Sequence, residues 1–386
     1  MITATYPPSA NGVAISTKRT VMELRKLGHR VVLYGPKRIP VNDDPDYIEA
    51  PTIRTKLFGL FDYPIAFPLP IPLILRSLPP VQWDIIHVHH PVIAGPFAIR
   101  LGRRLHVPVV FTYHTRHDQF IEHFISMPAY IREKMRSWMF RDNWAFAFQS
   151  FDGIIATTRW LSVLLKKRIS KTDIYYGSTA GLSHTFFVRA SRAALRRKLN
   201  LPVSGPLFLS VSRLSKEKHT EILIHGFLGW ADMHPKGDLV IVGDGGNRAY
   251  LEGIVRESAH RKRVHFIGKI PNEQLPSWYS TADIFLYSSI TDTIGINILE
   301  AMSAGLPVVA PDHATTREII VSGTNGVLYK GDESHMAKAI DTALSTRHVL
   351  SRNARITAKQ YNISRTIRDV VSIYEQIIRR YKKRFT

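Results

Sequence analysis

The sequence contains no cysteine in its 386 residues. That absence excludes a disulfide framework, a thiolate metal site and a cysteine nucleophile, and it fits a reducing compartment, with the cytosol as the default expectation. Long apolar runs are missing too. No segment approaches the roughly 20 residues needed to span a bilayer. The most apolar patch, FPLPIPLIL at Phe67 to Leu75, is broken by Pro68, Pro70 and Pro72. No cationic stretch followed by an apolar one opens the chain, so no signal peptide is expected. MITATYPP reads as a buried strand running into a turn, with so few residues ahead of Tyr6 that a misassigned start is one expectation.

Negative charge is scarce: 31 Asp and Glu stand against 52 Lys and Arg, a formal net charge of +21. The surplus implies attraction to polyanions, whether nucleic acid, anionic lipid or phosphorylated ligands, without choosing among them. With 45% hydrophobic and 22% charged residues, a disordered chain is excluded, and the length admits two domains of ordinary size.

What is abundant is alternation. The β-branched or aromatic runs VVLYG, DIIHVHH, VPVVFTYH, DGIIATT, TDIYYG, PLFLSVS, GDLVIVG, RVHFIG, ADIFLY and LPVVAP are separated by helix-length stretches. The pattern predicts repeated βαβ units, hence an α/β chain with parallel sheets covered on both faces. Asn11 is placed to cap a helix running to Leu27 with Gly28 as its stop, and Pro271 with Asn272 to open the helix before Ala282. The alternation pauses between Tyr176 and Leu207, where the domain boundary is expected. Two Rossmann-like domains facing across a cleft follow, over residues 1–185 and 186–365, with a last helix, 366–386, returning to the first.

In such sheets ligands bind beyond the carboxyl ends of strands. After PLFLSVS comes RLSKEKH, where Arg213 and Lys218 can converge on one anion, a diphosphate for example. A solvated basic turn is the plainer alternative. After the next strand, Gly243, Gly245 and Gly246 permit close backbone approach to a ligand, or simply form a tight turn. In SSITDTIGINILEAMSAGLPVVA, Asp292 lies just ahead of a helix and Glu300 on it, eight residues on. By helical arithmetic, eight residues turn roughly 80° and rise about 12 Å, so both carboxylates can lean toward one side of an elongated ligand. Carboxylates accept hydrogen bonds from vicinal sugar hydroxyls, and the amides of Ile294, Gly295 and Ile296 can meet an anion between them. The alternative is an N-terminal cap and a structural ion pair.

The segments SRLSKEK, IVGDG, VHFIGKIPNEQLPSWYSTADIFLYSS and TDTIGINILEAMSAGLPVVA resemble the retaining family-4 (group 1) glycosyltransferases of the GT-B fold. The resemblance implies an enzyme, a hexosyltransferase using a nucleotide-sugar donor, with an acceptor-binding first domain and a donor-binding second one. Arg213 and Lys218 would hold the donor diphosphate, Glu300 the ribose and Asp292 the hexose. In the first domain YPPSANGV matches the family's glycine loop, so Gly12 would approach the phosphates, and FTYHT places His114 at the reaction centre. The catalytic set implied is His114, Arg213, Lys218 and Asp292, with no metal and no cofactor beyond the donor. Asp292 stands where the family usually has Glu, Ile294 where Phe is common, Ser212 where Gly is common, and Arg317 where proline is usual.

FTYHTRHDQFIEHF is most similar to the branch that glycosylates membrane lipids such as diacylglycerol or phosphatidylinositol. AYIREKMRSWMF agrees physically: Ile131, Met135, Trp138 and Met139 share a helical face rimmed by Arg132, Lys134, Arg136 and Arg141. The expectation is a cytoplasmic protein, peripheral on the inner face of the membrane. A core-facing stripe is the alternative for that helix.

Other readings remain. A soluble or polysaccharide acceptor, a nucleotide-sugar epimerase on the same fold, and a basic nucleic-acid-binding protein are the competitors, the last supported by charge alone. His87 and His89 alternate on one strand face and, with His90, His114 and His117, raise a metal cluster. No acidic ligand follows at a suggestive spacing, so none is expected. The DPD at Asp44 to Asp46 reads as a turn.

Overall fold

The computed structural model describes residues 1–7, 12–37, 44–53, 65–66, 68–91, 94–114, 130, 148–179, 181–187 and 191–384. The chain divides into two units: Met1–Gly181 together with Ile363–Thr386, and Leu182–Asn362.

In the first unit, strands β1 (Leu33–Pro36) and β2 (Tyr47–Ala50) pair in parallel, β3 (Thr52–Ile53) and β4 (Ile65–Ala66) pair antiparallel, and β5 (Ile86–Val88), β6 (Val109–Tyr113), β7 (Gly153–Ala156) and β8 (Ile174–Tyr176) form a parallel sheet in that order. Ile2 joins the two parallel parts, bridging Tyr34 on one side and Val88 on the other. Its N–H donates to His87 O at 2.8 Å, and its carbonyl accepts from His89 N at 3.0 Å. The short opening strand therefore occupies the centre of a doubly wound sheet. Along β6, Val109, Phe111 and Tyr113 enter one core while Val110 enters another, the period-2 alternation of a sheet buried on both faces. The second of these cores is closed by Ile373 and Ile377 of the helix Ile363–Lys382, so the end of the chain packs on the first unit.

The second unit carries β9 (Leu207–Val211), β10 (Asp238–Val242), β11 (Val264–Gly268), β12 (Ile284–Leu286), β13 (Val308–Pro311) and β14 (Gly326–Tyr329). Their order across the sheet is β11-β10-β9-β12-β13-β14, all parallel. Phe208, Leu239, Ile241, Ile284 and Val309 pack one face against Leu223, Phe227 and Trp230 of the helix Thr220–Met233 and Met336 and Ile340 of the helix Glu333–Ser345. Below the sheet, Asp283 accepts from Arg192 (2.6 Å), Arg196 (2.7 Å), Arg347 (2.5 Å) and the Leu207 amide (2.9 Å), fixing the starts of β9 and β12 together.

Each of the ten runs singled out in the sequence contains a strand. β2, β3, β4 and β14 lie outside those runs. Among the described residues no helix is long and apolar enough to cross a membrane.

Candidate functional site

In the second unit the chain leaves β9 for β10 on one side and returns later to β12 on the other. The loops that follow β9 and β12 therefore part from each other, and the opening between them is where a doubly wound sheet accepts a ligand. After β9 runs Arg213 to Lys218, and after β12 Tyr287 to Ile294. Asn297, on the helix Ile296–Ala304, donates from Nδ2 to the Val211 carbonyl at 2.8 Å and anchors the helix beside the end of β9.

Lys218 and Asp292, each expected to touch a ligand, touch one another: Nζ lies 2.5 Å from Oδ1. The other carboxylate oxygen accepts from the Tyr287 hydroxyl at 2.6 Å. Ser288 Oγ donates to the Lys218 carbonyl at 2.7 Å, stitching the two loops together. Burial by itself raises the Asp292 carboxyl, but the Lys218 charge and the hydrogen bonds from Lys218 and Tyr287 outweigh it and hold the group below its ordinary value. Burial first, and then the Asp292 charge, push the Tyr287 phenol well above its ordinary value, so it stays a donor. The Ser289 side chain also hydrogen-bonds to the carboxylate, which still leaves it an acceptor direction. Asp292 is about a quarter exposed, at 26%, so a donating hydroxyl can reach it.

Arg213 is aimed by Glu217, whose Oε1 accepts from Arg213 Nη2 at 3.1 Å and from Ser215 Oγ at 2.5 Å. Glu217 is buried, while the Arg213 side chain is 46% exposed. Against this loop lies the Gly243 turn. Leu214 N donates to Asp244 O at 3.0 Å and Asn247 N to Leu214 O at 2.9 Å. A Cβ on Gly243, whose φ is +139°, would sit 1.8 Å from the Ser212 carbonyl oxygen, and one on Gly245 would sit 2.4 Å from Leu214 O. The close approach these glycines permit is taken by the chain's own loop after β9.

The helix Ile296–Ala304 begins after Gly295 and ends at Gly305, whose φ of +82° is the left-handed stop. Asp292 lies four residues before its first turn, in a loop turned by Lys218 and Tyr287. The helical rotation expected between Asp292 and Glu300 therefore does not apply. Glu300 is 4% exposed and accepts from the Tyr279 hydroxyl at 3.0 Å. Ile294 O accepts from Ile296 N at 3.0 Å. Arg317 pairs with Asp312 at the end of β13.

In the first unit, Gly12 is the first residue of the helix Gly12–Lys26, and Asn11 lies outside the described residues. His114 directly follows β6, and its Nε2 is 2.9 Å from His89 Nδ1. His87 and His89 do share a face, their ring centroids 4.2 Å apart. His87 is hydrogen-bonded to Tyr374 Oη at 2.5 Å and to Thr112 Oγ1 at 2.6 Å, and His90 Nδ1 accepts from the Ala4 amide at 3.1 Å. Burial first, and then the neighbouring histidines and the N-terminal amine, hold His87 and His89 well below their ordinary value. Burial lowers His90 to about 4. These rings are neutral near pH 7. The two acids of the DPD turn are occupied by Arg25, at 2.8 Å from Asp44, and Arg30, at 3.3 Å from Asp46. His117 and the helix expected around Ile131 to Met139 lie outside the described residues.

Glu217, Tyr287, Tyr279 and Asn297 were not singled out in the sequence. Glu217 had a signal, standing four residues after Arg213 within the same strand-end loop. Tyr287 is the last aromatic of a strand run and looks like core.

Two family models match the chain: Glycosyl transferases group 1 over residues 191–361, and Glycosyltransferase Family 4 over residues 10–175. The chain is 28% identical over 373 residues to the alpha-monoglucosyldiacylglycerol synthase of Streptococcus pneumoniae, covering 94% of this chain and 82% of that one. It is 26% identical over 396 residues to the GDP-mannose-dependent alpha-mannosyltransferase of Mycolicibacterium smegmatis, covering 98% and 97%. Among solved structures it is similar to the sucrose-phosphate synthase of Thermosynechococcus elongatus, with a TM-score of 0.74, 21% identity and coverage of 97% and 98%. The Anabaena HepE protein in complex with UDP-glucose gives a TM-score of 0.70 at 17% identity, covering 99% of each chain. With both units built around parallel α/β sheets and each matched by a family model over most of its length, the chain belongs to the group 1, family-4 glycosyltransferases of the GT-B fold.

Proposed function

We propose that this glycosyltransferase moves a hexose from a nucleotide sugar of the UDP-glucose or GDP-mannose type to a membrane lipid such as diacylglycerol or phosphatidylinositol, with the anomeric configuration retained. The observation that carries the donor half is the Lys218–Asp292 pair beside Arg213 at the strand switch point. A diphosphate entering there meets one exposed guanidinium and one ammonium. As it draws Lys218 toward itself, Asp292 loses a partner and turns its acceptor directions to the sugar hydroxyls. Glu300, midway along the helix Ile296–Ala304, holds the ribose, and the amides of Ile294 and Gly295 face the phosphates. Gly243 and Gly245 serve the site by letting the Arg213 loop pack tightly.

The chemical step that fits is a same-face displacement. The bond from the anomeric carbon to the diphosphate oxygen breaks, the acceptor hydroxyl oxygen forms the new bond on the same face, and the departing diphosphate takes the hydroxyl proton. Arg213 and Lys218 offset the growing negative charge, a role worth several kcal/mol in a site of low dielectric. These two cations supply the positive charge, and no metal is invoked. Gly12 and His114, in the first unit, are assigned to the phosphates and the reacting sugar.

The lipid half is supported by relatives whose names include a monoglucosyldiacylglycerol synthase and a sulfoquinovosyl transferase, the latter 27% identical over 335 residues. A net charge of +21 favours an anionic bilayer and supports a peripheral position at the cytoplasmic face as part of this reading. A soluble acceptor is the second reading, favoured by 24% identity over 313 residues to a D-inositol 3-phosphate glycosyltransferase. To separate them, the purified chain is incubated with the active donor and vesicles containing diacylglycerol, and the product is examined by proton NMR. An α-linked glycolipid supports the proposal. A β-linkage rejects retention, and glycosylation of soluble inositol phosphate in preference to lipid rejects the acceptor.

A further inference from the structure

We propose that His89 is a positioning residue that fixes the His114 ring as its Nδ1–H tautomer, so that His114 meets the reacting sugar as a neutral hydrogen-bond donor. The inference rests on the placement of His114 at the reaction centre.

The argument is one of proton accounting. His89 is fully enclosed, at 2% exposure, and one of its ring nitrogens, Nε2, has no hydrogen-bond partner. The other, Nδ1, lies 2.9 Å from His114 Nε2. One proton sits between those two atoms. If His114 owned it, the neutral His89 ring would carry its own proton on Nε2, leaving a buried N–H with nothing to donate to. If His89 owns it, the orphaned atom is a bare lone pair. Unpaired buried N–H groups are rarer and costlier than under-used acceptors. The His89 proton therefore belongs on Nδ1, donating to His114 Nε2, and His114 carries its proton on Nδ1. An imidazolium at His114 would again place a proton on Nε2 and force His89 into the unfavourable form.

The surroundings hold this arrangement. The His87 ring packs 4.2 Å from His89 and is itself fixed by Tyr374 and Thr112. The groups that face His89 with charge to offer are His87, His90, His114 and the N-terminal amine, and burial disfavours the charged form of His87, His90 and the amine alike. His89 itself was visible in HVHH, but only as a possible metal ligand. Its contact with His114 spans 25 residues and depends on β5 and β6 being neighbours in register.

The test uses the full chain labelled with ¹⁵N-histidine, with His89 and His114 resonances assigned from the His89→Leu and His114→Ala proteins. The expected spectrum at neutral pH has His114 protonated at Nδ1 and bare at Nε2. An Nε2–H or doubly protonated His114 in the wild-type spectrum overturns the proposal. The second arm is functional. His89→Leu should lower kcat by about a hundredfold while leaving the Kd for UDP unchanged. His89→Asn, whose amide N–H can stand in for Nδ1–H, should recover most of the loss. Full kcat in His89→Leu, or no recovery in His89→Asn, overturns the positioning role. Wild-type protein that shows the Nδ1–H tautomer but turns over no donor would count against the proposed function and leave the tautomer assignment standing.

Discussion

Asp292 illustrates how much of a site is decided by single atoms. Both of its oxygens are engaged by protein donors, Lys218 and Tyr287, across sequence separations of 74 and 5 residues. Tyr287→Phe removes one of them. Losing a hydrogen bond to a charged group costs about 1.5–3 kcal/mol when buried, and with Asp292 partly exposed the expected loss is nearer 1 kcal/mol by urea unfolding at pH 7. The sign with pH follows from the folded Asp292 value lying below its ordinary 3.8. The stabilisation is complete above the unfolded value and disappears as pH falls through the folded one. The difference between wild type and Tyr287→Phe should therefore be flat from pH 7 down to about 5 and shrink below 3.8. A difference that grows on acidification contradicts the pairing. Arg213, Lys218 and Asp292 stood out as candidates because residues in the loops after parallel strands have few structural reasons to be charged. Their partnerships were not legible. A sequence shows Lys218 and Asp292 as two independent ligands of a substrate, and only the adjacency of β9 and β12 makes them partners.

Among elements, the strands were the most readable part, because a doubly covered parallel sheet demands continuous apolar runs. β14 escaped notice because its sequence, GVLY at Gly326–Tyr329, opens on a glycine and holds a single β-branched residue, and β2 because the sequence before it, VNDDPD, is rich in aspartate. The tie between elements was the hidden part. Asp283, buried at 4% exposure beneath β12, binds Arg192, Arg196 and Arg347 across separations of 64 to 91 residues. Asp283→Ala leaves these guanidiniums without their shared anion, and breaking a buried pair costs about 3–5 kcal/mol, so the urea midpoint of the variant should fall sharply. A change within about 0.5 kcal/mol, the range of an ordinary surface substitution, would refute this role. Gly243→Ala tests the turn that supports Arg213. With φ of +139° and Ser212 O in the path of the new Cβ, the variant should lose both stability and donor affinity, seen as a lower thermal midpoint and a raised Kd for UDP. Unchanged values for both would contradict the packing.

For the molecule as a whole, composition bounded the class and the alternation of strands and helices indicated α/β architecture. The return of the last helix to the first unit is a matter of long-range packing, carried by Ile373 and Ile377. The buried histidines of that unit also set a global property. His90 has its value lowered from 6.5 to about 4 by burial, so the unfolded chain binds a proton there that the folded one refuses. Stability is complete above 6.5 and falls as pH drops toward 4, by on the order of a few kcal/mol for this residue, with His87 and His89 acting in the same direction. Urea midpoints should decline steadily from pH 7 to 4.5. A midpoint that rises over that interval would show these rings charged in the folded state. The most direct test of the central claim, that the loops after β9 and β12 hold a nucleotide-sugar diphosphate, is nucleotide release from UDP- and GDP-sugars by wild type, Arg213→Ala and Lys218→Ala. Wild type should release nucleotide from one donor, faster with diacylglycerol vesicles, and each variant should lose about a hundredfold or more in rate. Equal release by all three proteins would place the diphosphate elsewhere and contradict the account.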